Sequence, residues 1–267
     1  MTLNAEAGSL KRGVLLLKLL ATAGAKGLPL SEIAAKSGMP HPTAHRVLGQ
    51  LGAERLVERH AELKRYRLGP LAFELGVAGS TMFDIRDLCN ESMDGLSVAT
   101  EDTVYLVVRS GFDAVCMHRR EGSFPIRTLV LEVGSRRPLG AGAGGLAILS
   151  AIDHPERMDI IDRVGPTLRA YGLPTSEALT KACERARSEG LALIQNTINF
   201  GVTAVGQPFR DGMGQPVGAL SVAALSQRMT AQRIRHIAKL LKNACTDVEK
   251  RLRLKRRSGW QVNSPLN

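Results

Sequence analysis

The chain has 267 residues, of which 44% are hydrophobic, so it can bury sizeable cores, and its length favours two domains. No segment contains the roughly 20 consecutive apolar residues that a membrane-spanning helix needs. The first residues lack the apolar region of a signal peptide. We therefore expect a cytoplasmic protein with no membrane partner. The four cysteines are far apart in sequence, which predicts reduced thiols rather than disulfides or a metal site.

The positive charge is concentrated at the two ends of the chain. The formal net charge is +11, from 36 Lys and Arg against 25 Asp and Glu. Residues 1–70 hold 11 basic and 5 acidic side chains, and the residues after 227 hold 11 and 2, which leaves −4 for residues 71–227. The basic N-terminal segment favours a phosphate-backbone partner. The C-terminal cluster is typical of a solvated helix end whose cations offset the helix dipole.

The first predicted element is an amphipathic helix over 9–22. Its apolar residues recur at helical spacing, as on the buried side of a surface helix. The residues expected to face inward are Leu10, Val14, Leu17 and either Leu20 or Leu16.

Two further helices and a basic ribbon follow. The segment LPLSEIAAKSG predicts a short helix with Ser31 as its N-cap, and Gly38 lies where a tight turn needs a positive φ. The segment MPHPTAHRVLGQLGAERLV predicts a longer helix. The alternating segment ERHAELKRYRLG predicts a two-stranded ribbon. This order indicates a winged helix-turn-helix, whose second helix enters the major groove of DNA.

Several polar side chains of this predicted domain can contact DNA. Arg46 can form a bidentate pair with a guanine edge or with a phosphate, and Thr43 can reach a phosphate or a thymine methyl. Basic residues of the wing are expected to contact phosphates. The candidate DNA contacts are His41, Pro42, Thr43, His45, Arg46 and Gln50 in the helix, and Arg59, Lys64, Arg65 and Arg67 in the wing.

Beyond residue 100 the apolar period changes to that of strands. Segments 103–109 and 114–119 predict a hairpin, and 126–133 predicts a third strand. Segments 202–209 and 216–225 predict a second hairpin, which precedes a long helix from Thr230. The fold class is therefore α+β with a mostly antiparallel sheet. The predicted domains are 9–69 (winged helix-turn-helix), 70–83 (linking helix), 84–254 (second domain) and 255–267 (disordered tail).

The glycine-rich segment GAGAGG suggests a different class of function. Gly140, Gly142 and Gly145 match the spacing of a dinucleotide-binding loop, as in an enzyme that uses Gly140–Gly145. The context disfavours this hypothesis, because no buried parallel strand precedes the loop and the chain lacks βαβ alternation. Backbone N–H groups ahead of a helix can still bind the carboxylate of a small metabolite.

The chain from about Ser9 to Leu252 resembles the IclR family of bacterial transcription regulators. The resemblance rests on the order of SLKRGVLLLKLL, LSEIAAKSGMPHPTAHRVLGQL, YRLGPLAFELG, VGSRRPLGAGAGGLAIL and GVTAVGQPFRDGMGQPVGALSV. It implies a GAF-like C-terminal sensor domain and a repressor or activator of catabolic genes. It also implies dimers, often assembled as tetramers.

The resemblance also implies an effector-binding pocket. Two glycine-loop positions would bind the effector carboxylate, and the remaining positions would line the pocket. The chain departs from the family at Gly140 and Gly145, where histidine and lysine are usual. A pocket more apolar than one for a very small oxo-acid favours a larger, partly apolar effector, such as an aromatic metabolite. The implied effector-binding residues are Gly142, Ala143, Ile126, Leu129, Val202, Ala204 and Ser221.

The sequence predicts no enzyme. No serine, cysteine, histidine or carboxylate belongs to a catalytic or metal-binding constellation, so we expect no catalytic residue, metal or cofactor. The expected function is a ligand-responsive regulator that represses a catabolic operon. The alternatives are a dinucleotide-binding enzyme and a constitutive DNA-binding protein without effector. Surplus apolar residues of the linking helix predict a homodimer; tetramers follow from the resemblance.

Overall fold

The computed structural model describes residues 8–23, 26–78, 83–172 and 175–257. The chain divides into two compact units, Met1–Phe83 and Asp84–Asn267. Residues 79–82 of the predicted linking helix and residues 258–267 of the predicted tail lie outside the described residues.

The first unit is a small helical domain with a three-stranded antiparallel sheet. Its strands are ordered β1-β3-β2. Tyr66 of the central strand enters the core with Leu16, Ile33, Val47 and Leu48. The elements in chain order are α1 (Ser9–Ala23), β1 (Leu28–Pro29), α2 (Leu30–Ser37), α3 (His41–Ala53), β2 (Val57–Arg59), β3 (Arg65–Leu68) and α4 (Pro70–Ala78).

Two details of this unit differ from the sequence expectation. The buried face of α1 contains Gly13, Leu16 and Leu20, whereas Leu10 is 82% and Val14 40% exposed. Gly13 faces α3, since a β-carbon built on it would lie 3.6 Å from the side chain of Leu51. Helix α2 begins at Leu30 after Pro29, so Ser31 is not its N-cap.

The second unit is an antiparallel sheet between two layers of helices. Its strands are ordered β6-β5-β4-β9-β8-β7. The elements are α5 (Phe83–Thr100), β4 (Thr103–Ser110), β5 (Asp113–Arg120), β6 (Arg136–Pro138), α6 (Ala143–Ala151), α7 (His154–Leu168), α8 (Ser176–Glu189), β7 (Ala192–Gln195), β8 (Val202–Arg210), β9 (Pro216–Leu225) and α9 (Ala231–Arg257).

The sheet separates two hydrophobic cores. Successive side chains of a strand point to opposite faces, so β4 contributes to both cores. Val104 and Leu106 pack with residues of α5 and α9, whereas Tyr105 and Val107 pack with residues of α6, α7 and α8. The predicted α+β class with an antiparallel sheet is confirmed.

The predicted strand over 126–133 is wrong. The backbone there is irregular, because residues 134–138 occupy the adjoining edge of β5: Cys116 donates its N–H to Ser135 and accepts one from Gly134. The side chain of Tyr105 holds the segment instead. Its hydroxyl donates to the carbonyl of Thr128 (2.5 Å) and accepts the N–H of Val130 (3.0 Å).

Helix α9 also departs from the prediction at its end. It runs through Arg257, so residues 255–257 continue the helix rather than begin a tail. Arg251 ties this end to α5, where it donates to the carbonyl of Leu88 (3.0 Å) and pairs with Glu91 (2.5 Å). At least one cation of the C-terminal cluster, Arg251, therefore has a structural role.

Helix α6 is buried along its whole length, so its terminal backbone groups need partners inside the protein. Guanidinium groups from α7, α8 and β8 converge on its C-terminal end, where positive charge opposes the negative end of the helix dipole. Each donates to one carbonyl: Arg157 to Ile152 (2.6 Å), Arg187 to Ser150 (2.9 Å) and Arg210 to Ala151 (2.9 Å).

We expect Arg157→Met to destabilise the second unit by about 1–3 kcal/mol, because it leaves the carbonyl of Ile152 without its donor in the interior. Arg157 is 7% exposed, so water cannot readily replace it. The measurement is urea unfolding of the full chain. The control is Arg163→Met on the same helix, since Arg163 forms an exposed pair with Asp159 and should cost less than about 1 kcal/mol. Equal unfolding midpoints for the two variants would refute this stabilising role of Arg157.

Candidate functional sites

The helix-turn-helix has the geometry that the sequence predicts. Gly38 follows α2 with φ 66°, and its N–H returns to the carbonyls of Ala34 and Ala35. Ile33 of α2 and Val47 of α3 are both buried in the same core. This packing fixes the angle between the helices and leaves the opposite face of α3 in solvent.

The exposed face of α3 carries the predicted contacts. His41, Pro42, His45, Arg46 and Gln50 are exposed, and Thr43 is half-buried. Within the described residues, Arg46 has no hydrogen-bond or ion-pair partner. Its guanidinium is therefore free to bind a base edge or a phosphate.

Gly49 lies on this same face of α3. It is exposed, and a β-carbon built on it meets nothing within 4 Å. A glycine in a helix interior costs about 1 kcal/mol relative to alanine.

The basic side chains of the wing differ in direction: some face solvent and one faces the protein. Arg59 and Lys64 are exposed, and Arg59 lies over the ring of Tyr66 at 5.7 Å. Arg65 is turned inward, where its guanidinium donates to the carbonyls of Lys26 (2.9 Å) and Gly27 (2.8 Å). The expectation that Arg65 faces DNA is therefore corrected: it anchors the wing to the loop before α2.

Arg67 is the second wing residue with an internal partner. It forms an ion pair with Glu58 on the neighbouring strand, and both side chains are close to half-exposed. The pair offsets the charge that Arg67 would otherwise offer to a phosphate. Arg59 and Lys64 are thus the stronger wing candidates.

The second unit contains a cavity of about 50 Å³ between the sheet and α6. A single water needs roughly 10–15 Å³ on a comparable measure, so the cavity holds a small organic group without rearrangement. Its wall is mainly apolar. It is lined by Tyr105, Val107, Ala114, Cys116, Val130, Leu131, Arg137, Ala141, Gly142, Ala143, Gly144, Gly145, Ile194, Ile198, Asn199, Val202, Ala204, Ser221 and Ala223.

The N-terminal end of α6 faces this cavity. Gly142 is the N-cap, with φ 85°, and no side chain caps the helix. Close packing places the helix against the sheet: a β-carbon on Gly144 would lie 2.4 Å from Val107, and one on Gly206 2.4 Å from the carbonyl of Ala143. The positive end of a helix dipole and its first N–H groups therefore line the cavity, an arrangement that favours an anion.

Arg137 is a cavity residue that sequence reasoning missed. Its guanidinium donates to the carbonyl of Val130 (2.6 Å) and lies over the ring of Tyr171 at 5.8 Å. Burial lowers its pKa. Among the described residues, no carboxylate forms an ion pair with it, although the neighbouring Arg136 pairs with Asp113 (3.2 Å). The motif SRRP offered a signal, but nothing local distinguishes its two arginines.

Five of the seven predicted effector contacts line the cavity. They are Gly142, Ala143, Val202, Ala204 and Ser221.

The apolar wall predicted at Ile126 and Leu129 is not found. These side chains are 58% and 47% exposed, and Val130 and Leu131 line the cavity instead. The resemblance supplied these two positions, but the irregular backbone of this segment turns the side chains of its later residues into the cavity.

The geometry disfavours a dinucleotide site at Gly140–Gly145. The preceding strand, β6, has three residues and pairs antiparallel with β5 at the sheet edge. A dinucleotide-binding loop follows a buried parallel strand. Gly140 and Gly145 pack closely against Leu179 and Ala114 instead, and Gly142 supplies the positive φ of the N-cap.

One buried thiol, that of Cys116, lines the cavity. All four cysteines are buried and free. Burial raises the pKa of Cys116 to about 11, so its thiol stays protonated near neutral pH.

Among the described residues, no three His, Cys, Asp or Glu side chains could hold a metal ion. No helix in that part of the chain is long and apolar enough to cross a membrane.

Comparison with solved structures shows the same fold elsewhere. An IclR transcriptional regulator from Alicyclobacillus acidocaldarius has a TM-score of 0.73 at 23% identity, covering 92% of this chain and 98% of that one. An IclR homolog from Microbacterium hydrocarbonoxydans, complexed with 4-hydroxybenzoate, has a TM-score of 0.71 at 23% identity, covering 92% and 100%.

Sequence comparison identifies the family. The HTH-type transcriptional repressor AllR of Salmonella typhi is 28% identical over 258 residues, covering 95% of this chain and 93% of the relative. AllR of Escherichia coli K12 is 28% identical over 254 residues, covering 93% and 92%. The family model "IclR helix-turn-helix domain" matches residues 9–61, and "Bacterial transcriptional regulator IclR C-terminal" matches 79–250. Because the second match alone covers more than half of the chain, this protein belongs to the IclR family of bacterial transcriptional regulators, with a DNA-binding domain followed by an effector-binding domain.

Proposed function

We propose that this regulator is a repressor whose effector is a small carboxylate bound between Arg137 and the N-terminal end of α6. The observation that carries the proposal is the partly buried Arg137 guanidinium, which lines the cavity without a carboxylate partner in the described part of the chain. A buried cation is normally paired. A ligand carboxylate would supply the partner and also accept N–H bonds from α6.

The remainder of the cavity favours an apolar body on this acid. Ile194, Ile198 and Val202 form one wall, and the hydroxyl of Ser221 is a polar group on the sheet side. The volume of about 50 Å³ suits a short chain as the cavity stands. An aromatic acid needs more room, so its binding requires the cavity to enlarge. The Microbacterium relative was solved with 4-hydroxybenzoate, an aromatic acid.

We expect Arg137→Met to reduce the stabilisation by carboxylates strongly. The probes are butyrate and 4-hydroxybenzoate, each compared with its uncharged amide in a thermal-shift assay of the full chain. A bound acid at 100 times its dissociation constant adds about 2.7 kcal/mol of stability to the wild type. Loss of a charged hydrogen bond should weaken binding by about 1.5–3 kcal/mol.

Arg136→Met is the matched control, since it removes the adjacent charge from outside the cavity and should keep the response. Equal responses of acid and amide, or an unchanged response of Arg137→Met, would contradict a carboxylate site. DNA binding that no acid alters in the wild type would favour the constitutive alternative.

The proposed DNA surface consists of the exposed face of α3 and the two outward wing cations. Arg46 is its central group, because it is exposed and has no partner in the described residues. Arg59 and Lys64 on the wing add phosphate contacts.

Arg46→Ala should weaken operator binding by about 1–3 kcal/mol without changing the fold. The operator probe is the duplex that the wild-type protein selects from a random-sequence pool, and the measurement is fluorescence anisotropy. Arg55→Ala is the control, because Arg55 is exposed on the same unit but pairs with Glu74 (2.9 Å). It removes the same charge and should retain affinity. Equal losses for the two variants would reduce the role of Arg46 to bulk charge.

The proposed assembly is a homodimer held through the DNA-binding unit. Helix α4 is apolar yet has no buried residue: Phe73 is 72%, Leu75 55% and Val77 51% exposed. Exposed apolar patches of this kind mark interfaces. A second copy fits, since two winged helices read two half-sites. Association of dimers into tetramers is also part of the proposal.

Phe73→Asp should shift the protein toward a smaller mass in light scattering at micromolar concentration, because a dimer would bury an unpaired carboxylate. The variant monomer should keep its helical circular dichroism, since Phe73 is exposed within one chain. Leu63→Asp at the wing tip, 63% exposed, is the control and should leave the mass unchanged. An oligomer that persists in Phe73→Asp would move the interface elsewhere.

A further inference from the structure

Gly49 occupies the middle of the exposed face of α3. It follows Arg46 by three residues and His45 by four, so the three residues share one face of the helix. All three are exposed. The position is therefore central to the surface that α3 presents to solvent.

Nothing in the described part of the chain accounts for a glycine here. The α-helical backbone does not require it, and a β-carbon would meet no atom within 4 Å. Gly144 and Gly206 differ, because β-carbons there would collide with neighbouring atoms at 2.4 Å. Glycine destabilises a helix interior relative to alanine. At Gly49 the protein thus forgoes helix stability with no internal benefit.

We propose that Gly49 lets the backbone of α3 come into direct contact with a base-pair edge of the operator, and that a single methyl group at this position would hold the helix away from the major groove. The inference rests on the proposed operator-binding role of α3. It explains why the smallest residue lies among long side chains such as Arg46 and Gln50. Those side chains reach bases only when the helix axis is seated deeply.

The test is Gly49→Ala in the full-length protein, with two opposite effects expected. The melting temperature should rise by about 2–8 °C, because alanine favours the helix. Affinity for the duplex that the wild type selects should fall at least about tenfold, which is about 1.4 kcal/mol. Affinity for a scrambled duplex of equal length should change less than about threefold, since phosphate contacts remain.

Gly95→Ala is the matched control. Gly95 is an exposed glycine inside α5 of the second unit, and a β-carbon there also meets nothing within 4 Å. The same substitution should therefore raise stability while leaving affinity for both duplexes unchanged. A rise in stability shared by both variants, with a loss of specific binding only in Gly49→Ala, supports the inference.

The outcomes separate this inference from the proposed function. If Arg46→Ala weakens binding and Gly49→Ala does not, the role of Gly49 is overturned and operator binding by α3 stands. A lower melting temperature for Gly49→Ala also overturns it, because an internal requirement would then explain the glycine. If the wild type selects no duplex, operator binding fails and this inference fails with it.

Discussion

The second unit depends on burying α6 completely, which obliges the protein to satisfy the backbone groups at both ends of one helix. Three arginines serve the C-terminal end, and each reaches a different carbonyl. No side chain caps the N-terminal end. This asymmetry anchors the helix at one end and leaves N–H donors facing the cavity at the other, where we propose that the carboxylate of an effector binds.

Two glycines at the contact between α6 and the sheet follow from the same constraint. Gly144 brings the helix against Val107, and Gly206 lets β8 approach the carbonyl of Ala143. The spacing of Gly140, Gly142 and Gly145 resembles that of a nucleotide-binding loop, yet the helix that follows them packs on an antiparallel sheet. The proposed effector site depends on the neighbouring Arg137, whose charge is not balanced by a carboxylate of the described chain.

The first unit, by contrast, exposes two features that have no partner within the described residues. Arg46 on α3 lacks a partner in the described residues, and α4 exposes apolar side chains such as Phe73. A cation in solvent and an apolar patch call for different partners, a polyanion for the first and a protein surface for the second. The two features lie in one small unit, which is why we connect DNA binding with dimer formation.

Local periodicity and backbone chemistry are enough to predict the helix-turn-helix, the turn at Gly38, the hairpins and the buried stripe of α9 around Leu241. Which side chains face a site depends on tertiary packing. Arg65 turns to a carbonyl 38 residues away, and residues 126–133 lose a strand partner to the segment that follows them. Arg137 becomes a cavity residue while Arg136 pairs with Asp113. Local pattern carries no information about such distant partners, because they are brought together only when the sheet and its helices pack.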